Sequence, residues 1–121
     1  MTDLTPSYYK YWGKTDKDGT DYHPLVYHCL DVAACAQTLL LKRSDLIEKL
    51  TRLSGFSESQ IINWLTFLYA IHDVGKFGEG FQGQQPELQK LLQNSTTPVS
   101  QTVRHDTVGY ELLMTHLPDW L

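Results

Sequence analysis

Residues 67–77 read Phe67-Leu68-Tyr69-Ala70-Ile71-His72-Asp73-Val74-Gly75-Lys76-Phe77, an apolar run that ends in an imidazole and a carboxylate, then glycine, then lysine. A helix that buries this run must also deal with Asp73 at its end. Desolvating a lone carboxylate costs several kcal/mol, so Asp73 needs a partner. A divalent metal held jointly by His72 and Asp73 would supply one, with the imidazole neutral and the carboxylate ionised. On this reading, the rest of the chain is a scaffold that brings further ligands to the pair.

The scaffold is ordinary. The 121 residues are 41% hydrophobic and 20% charged, which suits a single soluble domain with a core that needs no staples. A formal net charge of −4 argues against a protein that grips nucleic acid through a general basic surface. It does not exclude a nuclease, because acidic metal ligands add negative charge and a larger partner can provide the basic track. Cys29 and Cys35 are the only cysteines, and their spacing of six matches no zinc pattern; two reduced, buried thiols in a cytoplasmic protein are expected. No apolar run is expected to reach membrane-spanning length, and Met1-Thr2-Asp3-Leu4-Thr5 lacks the features of a signal peptide.

In chain order, residues 1–22 form an aromatic arm and a polar loop, with Ser7-Tyr8-Tyr9-Lys10-Tyr11-Trp12-Gly13-Lys14 as a strand-like segment or a cover over the core. Pro24 suits the first turn of a helix that continues from Leu25 to Leu41, with Leu25, Val32, Ala36 and Leu39 on one face. Alanines 33, 34 and 36 would permit close helix packing. Ser44 is placed to cap a second helix ending near Gly55. Ser57-Glu58-Ser59-Gln60 forms a capping box, with Phe56 and Ile61 as its staple. The helix from Glu58 to about His72 is apolar on most sides and is expected to be central, with Gly75 placed to end it. Gly78, Gly80 and Gly83 suggest a flexible loop before a short helix from Pro86 to Gln93. A polar linker over 94–103 leads to a last helix from His105 to Leu117, stopped by Pro118. No run of strict alternation appears, so the fold is expected to be all-α.

Three histidines stand where elements begin or end: His28, His72 and His105. Together with Asp73 and Lys76 they resemble the HD superfamily of metal-dependent phosphohydrolases. Four segments in register sharpen the likeness: Tyr11-Trp12-Gly13-Lys14, His28-Cys29-Leu30-Asp31-Val32-Ala33-Ala34, Ile71 to Phe77, and His105-Asp106-Thr107-Val108-Gly109. In that order and at similar spacing, they look like the N-terminal HD nuclease domain of the CRISPR-associated helicase–nuclease of type I interference systems. The resemblance runs from about residue 8 to the end, with residues 23–121 as the HD domain, a compact helical bundle incomplete at its C-terminus.

The resemblance implies a metal-dependent nuclease acting on single-stranded DNA. It would be joined to a helicase that feeds it the strand, and recruited by an RNA-guided surveillance complex. Carried across position by position, His28, His72, Asp73 and His105 would be metal ligands, with Asp73 bridging and also catalytic. Lys76 would be the catalytic cation that meets the scissile phosphate or the leaving group. The ions implied are one or two of Mn, Ni, Co or Fe, with Mg as an alternative. Two metals about 3.5–4 Å apart generate hydroxide near neutral pH and stabilise both oxygens of an in-line displacement. In this family a further His pair and a final Asp follow the element matching His105, and Leu121 comes before either. One metal or a weak pair is therefore expected, from a fragment of a longer nuclease–helicase. The alternatives are a naturally shortened, inactive HD-like protein that binds the surveillance complex or its nuclease partner, and an HD phosphohydrolase acting on nucleotides.

Each residue also has a plainer reading. His72 and Asp73 could be a helix-end histidine with an ion-paired aspartate, and His28 a core histidine bonded to Asp31. That bond is compatible with metal binding, since a ligating histidine usually gives its other N–H to a carboxylate or carbonyl; Asp31 is therefore a candidate outer partner. His105 could simply start a helix, and Lys76 could answer the dipole of the central helix. His23 reads as structural or exposed, His116 as non-functional, and Trp12, Trp64 and Trp120 as core.

Overall fold

A computed structural model describes residues 4–98 and 104–120. Part of the 94–103 linker and the side chain of Trp120 lie outside the described residues. Six helices account for most of the chain: α1 Leu25–Lys42, α2 Ser44–Ser54, α3 Glu58–Ala70, α4 Glu79–Gln82, α5 Pro86–Gln93 and α6 His105–Trp120. Two short strands precede them, β1 Trp12–Thr15 and β2 Tyr22–Pro24, and 3₁₀ turns occupy Ser7–Lys10 and Val74–Phe77. The all-α expectation holds for the bulk of the fold. The chain divides into two compact units, one of residues up to His28 and from His72 onward, the other Cys29–Ile71.

In the first unit, β1 and β2 pair antiparallel, with Lys14 opposite His23 and Thr15 opposite Tyr22. The turn between them is closed by the Asp16 carboxylate, which accepts from the Thr20 N–H (2.8 Å), the Thr20 hydroxyl (2.7 Å) and the Asp21 N–H (3.2 Å). Pro24 therefore ends a strand instead of opening α1, where its missing N–H costs the two-stranded ladder little. The Gly78–Gly83 stretch is not a loop but holds the single-turn helix α4, and α6 continues through Pro118 to Trp120. Trp12, Leu25, Leu88, Gln82 and Gln89 are buried here.

In the second unit, Leu40, Ile47, Ile61 and Ile62 form a core flanked by Leu46, Leu50 and Leu65. The capping box is present: the Ser57 hydroxyl accepts from the Gln60 N–H, and the Gln60 side chain accepts from the Ser57 N–H at 2.9 Å. Gly55, at φ +75°, closes α2 as expected. Other details differ. Ser44 is the first residue of α2, with Arg43 at the cap position, where its guanidinium pairs with Asp45 instead of capping. The packed stripe of α1 runs through Ala33, Ala36 and Leu40, so Leu39 is 58% exposed and Cys35 is exposed too. Cys29 is only half-buried. α3 is not the enclosed central helix expected: only Ile61 and Ile62, near its start, are buried, and Trp64 is 43% exposed.

One further expectation is corrected. The 18 residues of α1, with mean hydropathy 1.2, are long and apolar enough by length and composition to cross a membrane. A core helix of a soluble protein passes the same test, and α1 carries His28 and buries Ala33, Ala36 and Leu40.

Candidate metal centre

The centre is built where the apolar run stops. α3 closes at Ile71 (φ −99°, ψ 2°), short of the expected end, and Asp73 follows at φ −105°, ψ 19°. These bridge-region conformations turn the backbone out of the helix. The 3₁₀ turn Val74–Phe77 then bends the chain back, and the Lys76 N–H donates to the Asp73 carbonyl at 2.9 Å. The Lys76 side chain returns to the carboxylate of the residue that began the turn.

Asp73 is only 8% exposed. Its Oδ2 lies 2.9 Å from His28 Nε2, 3.1 Å from His72 Nε2 and 2.9 Å from Lys76 Nζ. Its Oδ1 faces His105 Nε2 at 3.4 Å. Burial pushes the carboxyl up, but hydrogen bonds from Lys76 and His28, with the electrostatic attraction of Lys76 and His72, outweigh it and hold Asp73 below the ordinary carboxylate value. It is an ionised, largely enclosed carboxylate ringed by nitrogen.

His105 reaches the cluster because α6 presses on the Val74–Phe77 turn. A Cβ on Gly75 would stand 1.7 Å from the His105 carbonyl oxygen and 2.6 Å from the Gly109 nitrogen. Only glycine permits that approach. Gly75 therefore does not end a helix, as its place in the sequence suggests; it makes room for the next one.

Among the described residues, His28, His72 and Asp73 present ligand atoms within 4.8 Å of one another. Two imidazoles and one carboxylate suit a borderline divalent transition metal. Asp73 is already ionised, and each histidine has a neutral form that can donate a lone pair. The residues fit the group. His105 stands on the far oxygen of Asp73, outside that tight set. Asp31 is exposed and is not among the convergent atoms; His28 turns its Nε2 to Asp73. His23 is half-buried with its ring 6.3 Å from Tyr27, and His116 is exposed.

Two neighbours of the centre were not legible as such. Phe81 meets His105 edge-on (5.5 Å, 72°), and Lys76 Nζ stands 5.3 Å from the centre of its ring. Gln82, beside it, is fully buried. In the sequence both hide among glycines that read as loop, and nothing in one sequence marks a glutamine as buried.

Comparison with known proteins gives one family. The model for the Cas3 HD domain matches residues 12–121. The CRISPR-associated endonuclease/helicase Cas3 of Escherichia coli is 41% identical over 91 residues, covering 73% of this chain. The CRISPR-associated endonuclease/helicase Cas3 of Thermus thermophilus is 31% identical over 83 residues, covering 68%. The match takes in only 10% and 9% of those two relatives. No solved structure matches the chain significantly.

Proposed function

This chain belongs to the Cas3 HD-domain family, and from that premise we propose that it is the metal-binding part of a nuclease that cuts single-stranded DNA. The relatives' name, endonuclease/helicase, supports a helicase acting with it, in the same chain or a partner. A CRISPR system supports recruitment by an RNA-guided surveillance complex, in the cytoplasm. The observation that carries the reading is the convergence of His28, His72 and His105 Nε2, with Lys76 Nζ, on the one enclosed carboxylate of Asp73.

His28, His72 and Asp73 would hold a divalent ion such as Mn²⁺ or Ni²⁺, with His105 completing its shell. Such an ion acts as a Lewis acid on a phosphodiester and lowers the pKa of water at its open position. The chain's own part is to fix geometry and charge. Asp73 carries the negative charge that would draw the cation in, with His28 and His72 Nε2 gathered at one of its oxygens and His105 Nε2 at the other. Lys76, only 13% exposed at its side chain, is a desolvated cation poised beside this centre. There it would meet a non-bridging phosphate oxygen or the departing alkoxide, where charge develops during phosphodiester cleavage.

The test is digestion of circular single-stranded DNA with Mn²⁺ or Ni²⁺, beside the Asp73→Ala variant. Cleavage by the unchanged chain that falls at least about 100-fold in the variant supports the reading, since the variant loses both a ligand and the charge of the site. Cleavage that survives the substitution would sink it. Mn²⁺ binding without cleavage by the unchanged chain would instead be the behaviour of a binding module. A parallel screen of nucleotides separates both from a nucleotide phosphohydrolase.

A further inference from the structure

Phe81 and Gln82 lie outside the donor set, yet they touch what holds it. The Gln82 Oε1 accepts from the Trp12 N–H at 3.2 Å and from Gln93 Nε2 at 3.1 Å. Its Nε2 donates to the carbonyls of Trp12 (2.9 Å) and Lys76 (2.8 Å). The Gln82 carbonyl in turn accepts from the Trp12 indole N–H at 3.2 Å. Every amide donor and acceptor of a fully buried side chain is used, which fixes the turn carrying Lys76 to β1 and to α5.

Phe81 is anchored by the same clamp. Its ring packs 4.4 Å from that of Trp12, meets His105 edge-on and stands under the Lys76 ammonium. A leucine would fill similar space but has no quadrupole to draw an ammonium or to meet an imidazole edge-on. The ring therefore contacts two of the three groups that approach Asp73 from beyond its own dipeptide, Lys76 and His105, the third being His28.

We propose that Phe81 is a positioning residue of the metal centre, its ring setting where the Lys76 ammonium and the His105 imidazole stand against Asp73. The proposal rests on the metal-centre reading above. Its role runs through its neighbours, since it offers no ligand atom, and Gln82 holds it in place.

The test is calorimetric titration of Mn²⁺ into the unchanged chain, Phe81→Leu and Phe81→Tyr, each checked for helix content. Phe81→Leu is expected to weaken Mn²⁺ binding about 10-fold or more, as loss of an outer partner typically does. Phe81→Tyr keeps the ring and is expected to stay close to the unchanged chain. Gln82→Glu, which turns an acceptor toward two carbonyls, is expected to weaken binding as well; if it does not fold, the Phe81 pair still decides. Equal Mn²⁺ affinity in Phe81→Leu, or equal losses in Phe81→Leu and Phe81→Tyr, would overturn the proposal. An unchanged chain that binds Mn²⁺ and leaves DNA intact removes the nuclease reading alone. One that takes no Mn²⁺ removes both.

Discussion

Asp73 and Asp45 are both depressed carboxylates, and their settings show what such a depression means. Asp45 is exposed, held to about 2 by hydrogen bonding to Arg43, with the α2 N-terminus adding to it. Asp73 is enclosed, and several groups that could equally serve a cation or a phosphate hold it ionised. The first is a local ion pair and the second a site. For Asp45 the folded value lies below the ordinary 3.8, so its contribution to stability is present above that value and is lost as pH falls through about 2. NMR titration of the Asp45 carboxyl is expected to show a midpoint near 2, and Arg43→Ala should return it toward 3.8. An unmoved midpoint would mean that the helix terminus, and not the guanidinium, sets it.

Elements matter here through where they stop. α3 ends at Ala70, and that early stop frees His72 and Asp73 to leave the helix axis and meet His28 at the start of α1. The Val74–Phe77 turn then accepts α6 against Gly75. Gly75→Ala is expected to force the two apart, because the new methyl would overlap the His105 carbonyl, which is backbone and cannot swing aside. Overpacking of this kind costs about 1–3 kcal/mol, occasionally more. The melting temperature should fall, and Mn²⁺ affinity should fall with it as His105 withdraws from Asp73. A variant that melts lower yet binds Mn²⁺ unchanged would show that His105 is not part of the ion's shell.

Across the whole molecule, apolar residues divide into those that hold a unit together and those that do not. Leu40 belongs to the core of the Cys29–Ile71 unit, whereas Leu39, its neighbour on α1, is 58% exposed. Leu40→Ala is expected to destabilise by about 2–5 kcal/mol. Leu39→Lys should stay within about 0.5 kcal/mol of the unchanged chain. Urea unfolding separates them, with Leu40→Ala lowering the midpoint and Leu39→Lys leaving it in place. A large loss from Leu39→Lys would reveal a packing role that its exposure does not suggest. The net charge of −4 belongs to this scale as well: the chain carries no excess of basic residues, so a grip on DNA would come from the site and from a partner.

The sequence by itself determined the helices with strong local punctuation, and it pointed to the family. The capping box at Ser57 and the glycine after Ser54 act within a few residues, so the string of letters contains their physics. His28, His72, Asp73, Lys76 and His105 stood out because their order resembles a known family's motifs, and the structure gathers them at one carboxylate. Tertiary structure alone decided the rest. Which stripe of α1 is buried and why α3 leaves Trp64, Phe67 and Leu68 exposed depend on neighbours distant in sequence. So do Gly75, Phe81 and Gln82, whose roles are set by a carbonyl, a ring and two backbone groups brought in from other elements. Local preferences act over one turn of chain, whereas burial and close approach are properties of the packed whole.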